Sequence, residues 1–400
     1  MTLADLIPVW VALASVLLGG MCLWGAIRLR VLYSIADPCI LQMFQTCFTF
    51  GVLLLTGMLP IGDIFGYLLF FGVLVATAAR QSGKSSRPWI TEDEWLKFAY
   101  VLFWVLAVMN AYLISHKGFL LLHSNLAQAR LEFYRGWGVF KRLNEFGVGI
   151  LGIGGLQLWS RGKRKTAGFF ISFASYLVLS LGSRAGLLVF LFLYGAYARF
   201  HVRRTQTKAL LLAASILGVS SLAIFYIMFG NAFLLQFALR LLGYCDGPVY
   251  FFSSHLSGKV HYGLGYIFDE FLQAARLRAK PAYVSLGQVL NWYFMYYENP
   301  LTGPNPQFCV ESHVLFGWAY LFWYGLVAWI FVYFRKHAST AYSFFIACAV
   351  VGPLLQDSQF AGSELFSAIL VGILLIATLS FRRVALLASA HVRLEVAEQR

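Results

Sequence analysis

The residues able to do chemistry crowd one stretch of the chain, 231–311, and two shorter stretches before it. Glu311-Ser312-His313 stands immediately ahead of an apolar run. Either flanking side chain can take a proton from a hydroxyl, since histidine titrates near neutrality and a desolvated glutamate is raised toward it. Asp246, His255 and His261 are rival bases in the same stretch. Arg184 stands in Gly182-Ser183-Arg184-Ala185-Gly186, a break between two apolar runs where small neighbours leave room for a ligand. Arg135 and Arg142 lie among aromatic and amide side chains in 133–144, and Arg240 sits near the start of the long stretch. Guanidinium groups bind phosphate bidentately and stay charged at any working pH, so the set points to a phosphate-bearing ligand. A plain interfacial belt explains the same aromatic and basic mixture without a ligand.

The six cysteines show no CxxC pair, and neither they nor the histidines have metal-ligand spacing, so no metal site is expected. Cys22, Cys39, Cys47 and Cys348 lie in or beside apolar runs and read as packing residues. Cys245 and Cys309 bracket the long stretch and are candidates for a disulfide. Closing a loop of about 65 residues would contribute about 4 kcal/mol on the chain-entropy model.

These groups must be positioned by elements that live in lipid. Of 400 residues 60% are hydrophobic and only 12% charged, against about a quarter charged in a soluble domain. The fold expected is all-α, one polytopic membrane domain over 1–400, because backbone polar groups in lipid are satisfied within helices. Eleven spans are predicted: 6–27, 40–59, 61–79, 95–115, 139–159, 167–181, 185–199, 209–229, 312–334, 342–356 and 363–381. The first is too long for a signal segment and lacks a basic leader, so it is read as a span. The net charge of +14 is carried largely by caps between spans, as membrane orientation requires, and not by a nucleic-acid surface. Those caps all fall on one side, which places the N-terminus outside and the C-terminus inside.

Two segments then face outward, a small loop at 116–138 and the large one at 231–311. Their basic residues, Arg278 among them, lie on the side that topology disfavours, which strengthens the case for an anionic partner. Leu264, Ile267, Phe268, Phe271 and Leu272 recur at helical spacing opposite Asp269, Glu270 and Gln273, the pattern of a helix lying in the interface. Pro281 ends it, and Ser285 caps a second helix running through Trp292 and Tyr297.

In this arrangement the chain resembles the O-antigen polymerases of the Wzy type and the related O-antigen ligases. The resemblance covers most of the chain as a pattern of spans and loops, with three short motifs: Arg142-Leu143-Asn144, Ser183-Arg184-Ala185-Gly186, and His313 followed by Leu315 and Gly325. Val314 stands where ligases carry Asn, which favours polymerase over ligase. The resemblance implies a metal-independent glycosyltransferase of the GT-C type, without cofactor, in a bacterial inner membrane. Its donor and acceptor would be undecaprenyl-diphosphate-linked oligosaccharides, and a chain-length regulator and a flippase would be its partners. In that reaction Arg184, Arg135, Arg142 and Arg240 would neutralise the diphosphate, and His313, then Glu311 or Asp246, would take the acceptor proton. Trp292, Tyr293 and Tyr297 would stack on sugar rings. The alternatives are a ligase acting on lipid A core and a transporter without chemistry. A transporter is expected to carry ionisable groups midway through its spans, whereas Asp63, Asp357 and Glu364 fall near predicted ends.

Overall fold

The structure is a computed structural model, and it describes residues 7–80, 88–120, 132–134, 136–181, 186–202, 226, 230, 242–256, 258–279, 281–295 and 304–398. Among these described residues fourteen α-helices follow in chain order: α1 Val9–Arg28, α2 Ile40–Leu55, α3 Ile61–Ala79, α4 Glu92–Lys117, α5 Gly138–Ser160, α6 Arg164–Ser180, α7 Gly186–His201, α8 Asp246–Ser253, α9 Gly265–Ala274, α10 Leu286–Met295, α11 Gln307–Phe316, α12 Tyr320–His337, α13 Ala341–Val351 and α14 Ser358–Glu398. The chain folds as two compact units. The first holds α1 to α3, α7 to α12, most of α13 and the start of α14; the second holds α4 to α6 and the remainder of α14.

The architecture is that of a helical membrane protein. Trp10, Leu13, Leu17, Met21 and Trp24 recur every three or four residues along α1 and are 61–71% exposed, an apolar stripe that water would penalise and lipid accepts. Among the described residues five stretches are long and apolar enough to cross a bilayer: α1, α3, α4, α11 with α12, and Ser358–Phe381. The expected eleven are not all provided. Ile40–Leu55 and Ala341–Leu355 are apolar but short; α5 carries Lys141, Arg142 and Glu145 in its first turns; α6 opens on Arg164 and Lys165; and the run 209–229 lies outside the described residues. The observed bounds of α3 coincide with the predicted span 61–79.

Local chemistry sets the helix ends. Thr91 caps α4 through a reciprocal pair with Glu94, whose backbone N–H donates to Thr91 Oγ1 at 3.3 Å while Thr91 N donates to Glu94 Oε2 at 2.8 Å. Gly118, with φ +78°, ends the same helix. Gly317, with φ +52°, breaks α11 from α12, so Glu311 and His313 lie within a helix of their own and not at the head of the predicted span 312–334. The second unit is packed on small residues: a β-carbon at Gly147 would come within 2.3 Å of Leu106, and one at Gly155 within 2.7 Å of Ile171. In the first unit α3 and α12 approach through Gly66, where a β-carbon would meet the Tyr324 ring at 2.9 Å. Lys336 fastens the other end of that pair by donating to Thr77 O and Ala78 O at the C-terminus of α3, where a cation is favoured.

The interfacial helix forms but is rotated from the expected setting. Asp269, placed by its spacing on the polar face of α9, is fully buried, while Leu264 and Phe268 are half exposed. The carboxylate is turned inward by Arg278 Nη1 at 2.7 Å and by the backbone N–H of Ala282 at 3.1 Å. Ser285 caps α10 as predicted, its Oγ accepting from Gln288 N at 3.3 Å.

Candidate functional site

His313 gains a charged partner that its place in the sequence did not announce. Its Nε2 lies 2.9 and 3.0 Å from the two carboxylate oxygens of Asp63, and the Tyr324 hydroxyl donates to Asp63 Oδ1 at 2.8 Å. The elements account for this placement. Asp63 occupies the first turn of α3, where the helix dipole favours an anion, and His313 the last turn of α11, where it favours a cation. The two termini face one another, which brings the carboxylate and the imidazole together. Asp63 is fully buried and the His313 side chain is 11% exposed. The imidazole stacks on Tyr320 at 4.3 Å and is flanked by Phe251 and Phe252 of α8 at 5.8 and 5.9 Å. Gly62 is required beneath it, since a β-carbon there would fall 1.9 Å from the Tyr320 hydroxyl. The carboxylate is placed to orient the imidazole and to stabilise positive charge on it during a proton transfer.

Asp63 and Tyr324 were not among the residues assigned chemistry from the sequence. The available signal was a single acid in an otherwise uncharged apolar helix, three residues after Pro60, which in a membrane segment marks a functional position with a partner.

Glu311, two residues before His313 and so on the opposite side of α11, does something else. Its Oε1 accepts from the backbone N–H of Ser358 at 2.7 Å and from Ser358 Oγ at 2.9 Å, so it holds the first residue of α14, and it is fully buried. A base committed to a helix N-terminus is badly placed to meet a substrate. Asp246 opens α8 and accepts from Gly247 N at 2.8 Å. Burial pushes its carboxyl from the ordinary 3.8 up to about 7, against the opposing pull of that hydrogen bond, so it remains a candidate base. Asp357, which caps α14 through Gln359 N at 2.9 Å, is raised to about 6 by burial and by the neighbouring Glu270 charge.

The two ends of the long segment do meet, but not through sulfur. Cys245 and Cys309 are both free thiols. Cys245 Sγ donates to Leu242 O at 3.1 Å and the Cys309 thiol faces the Tyr67 hydroxyl, so the two sulfurs are committed to different neighbours. The ends are joined by close packing instead: a β-carbon at Gly247 would come within 2.1 Å of Asn305 O.

Of the four arginines expected to meet diphosphate, Arg135, Arg184 and Arg240 lie outside the described residues, as does Tyr297. Arg142 pairs with Glu145 at 3.3 Å, and Lys141 reaches the same carboxylate at 3.5 Å. Its motif partner Asn144 is buried in a network that runs from Asn110 through Asn144 to the Tyr134 hydroxyl, at 3.0 and 2.9 Å, and on to Ser180 at 3.0 Å. Trp292 and Tyr293 are exposed with ring centroids 5.2 Å apart, a surface that suits a sugar face. His255 and His261 are exposed and do not join the His313 cluster. Comparison of the chain with protein-family models, with curated proteins and with solved structures finds no match.

Proposed function

We propose that the protein is a membrane glycosyltransferase that polymerises undecaprenyl-diphosphate-linked oligosaccharide repeat units at the periplasmic face of a bacterial inner membrane. The observation that carries the proposal is the His313–Asp63 pair, a base with its orienting carboxylate, lined by aromatic rings. Polymerisation requires one proton to leave a sugar hydroxyl and one diphosphate to depart. On this reading His313 takes the acceptor proton as the hydroxyl oxygen attacks the anomeric carbon of the donor. The bond to the diphosphate breaks in the same displacement, inverting that carbon, and undecaprenyl diphosphate leaves as an anion. Arg184, with Arg135 and Arg240, neutralises the charge that develops; Arg142 is a weaker contributor because Glu145 already offsets it. Trp292 and Tyr293 stack on the sugars, and the helices form a GT-C-type frame with the N-terminus periplasmic and the C-terminus cytoplasmic.

A second reading, a transporter of lipid-linked glycan, is favoured by two buried polar contacts, the Asp63–His313 hydrogen bond and the Asp37–Arg335 ion pair, of the kind that lines substrate and proton paths. One experiment separates them. The protein is reconstituted in vesicles with a lipid-linked repeat unit. Lengthened lipid-linked chains support the polymerase; glycan appearing only on added lipid A core supports the ligase; glycan that crosses the bilayer unlengthened supports the transporter.

A further inference from the structure

Three ligand atoms converge in the interior of the first unit, well away in sequence from one another. A carboxylate oxygen of Asp37 and the sulfurs of Cys39 and Cys348 all lie within 4.8 Å of one another, and all three residues are buried. Cys39 stands at the N-cap of α2 and Cys348 lies in α13, so the cluster joins elements separated by 309 residues. We propose that Asp37, Cys39 and Cys348 form a structural binding site for a zinc-class divalent cation.

The donor set is right for such an ion. Two thiolates with one carboxylate suit a borderline-soft tetrahedral metal and select against magnesium and calcium, which take oxygen ligands. Tetrahedral bonds to sulfur and oxygen put donors about 3.5 Å apart, so the observed spread needs a contraction of about 1 Å and no change of fold. Charge also balances. Two thiolates and a carboxylate around a divalent ion leave one negative charge, and the Arg335 guanidinium, buried and paired with Asp37, offsets it. Binding converts two thiols to thiolates and releases two protons to solvent.

The outer shell is already built. Asp37 Oδ2 accepts from Tyr33 N at 2.8 Å and pairs with Arg335, while Oδ1 accepts from Cys39 N at 3.0 Å, so the carboxylate is held as ligating carboxylates are. Arg335 is fixed in turn by Val31 O at 3.1 Å and by the Phe331 ring at 4.6 Å. A separate observation points to a missing partner. Among the described residues, Gln42 Oε1 is buried with no hydrogen-bond partner. The Gln42 amide carbon and Cys39 Sγ lie 3.6 and 3.5 Å from a common point, the position a β-carbon on Gly352 would take. That amide oxygen is the candidate fourth ligand. Ordinary core packing explains two buried thiols, but not a carboxylate, a guanidinium and an unsatisfied amide oxygen beside them.

The test uses full-length protein purified in detergent under reducing conditions, stripped with a chelator and titrated with Co²⁺. The expected result is one Co²⁺ per chain with thiolate-to-cobalt charge-transfer absorption and tetrahedral visible bands. Cys39→Ser and Cys348→Ser are each expected to lose that absorption and to weaken binding at least about 10-fold. A double Cys22→Ser, Cys47→Ser variant, altered at the chain's other neighbouring thiol pair, is expected to keep it. No charge-transfer band in wild-type protein whose thiols are all reduced would overturn the site. So would a band that survives in the Cys39→Ser, Cys348→Ser double variant, or a Cys39–Cys348 disulfide found by mass spectrometry in protein purified without reductant.

Discussion

At the scale of single residues, the structure divides the candidate bases by what each is already doing. His313 is oriented by a buried carboxylate, Glu311 is spent on a helix terminus, and His255 and His261 are exposed loop residues. His313→Ala is therefore expected to lower polymerisation roughly 10²- to 10⁴-fold, the usual contribution of a general base. His255→Ala and His261→Ala should leave chain lengths near wild type, and the opposite ranking would move the base to the first half of the loop. Asp246 makes a pH prediction. Its raised carboxyl means the folded protein holds a proton that the unfolded chain has released. The resulting stabilisation is full below about pH 4 and is lost as pH rises through about 7. Asp246→Asn should flatten the fall in melting temperature across that window, and an unchanged slope would place the titrating group elsewhere. His313 was legible in the sequence as a histidine before an apolar run. Its partner was not, because Asp63 lies 250 residues away and local spacing carries no information about which helix ends will face each other.

Elements decide whether those side chains stay in place. Glu311 and Ser358 make the point that a residue beside the chemistry can serve a fold boundary. Glu311→Ala is expected to destabilise the protein by about 1–3 kcal/mol through loss of a buried hydrogen bond at the start of α14, with the folded fraction still polymerising. Loss of activity at unchanged melting temperature would return Glu311 to catalysis. The Gly247 contact that closes the long segment is tighter, since any side chain there meets backbone at Asn305. Gly247→Ala is expected to cost about 1–3 kcal/mol and to loosen α8, and with it Phe251 and Phe252, from His313. Helices α3 and α10 could be read from the sequence because apolar runs, Pro60 and the Ser285 cap are local signals. The setting of α9 could not. Periodicity put Asp269 with the polar residues, and only the return of Arg278 and Ala282 onto its carboxylate turned that face inward.

For the whole molecule, composition fixed the solvent and overstated the crossings. Hydropathy marked every apolar run, but it does not register that Ile40–Leu55 and Ala341–Leu355 are too short, or that α5 and α6 carry charge in their opening turns. The pairing of Cys39 with Cys348 was equally out of reach, being a contact across 309 residues that no motif announces. At this scale Arg184→Ala is expected to abolish polymerisation while single repeat units remain on the lipid, and wild-type chain lengths at normal expression would remove Arg184 from the mechanism. The central claim, however, rests on the pair the structure brings together. Its most direct measurement is the length distribution of lipid-linked chains made by reconstituted Asp63→Asn protein beside wild type. Loss of polymerisation by roughly 10²-fold or more, with the fold and lipid-linked substrate binding retained, is the result the account predicts. Wild-type chain lengths from Asp63→Asn would contradict it.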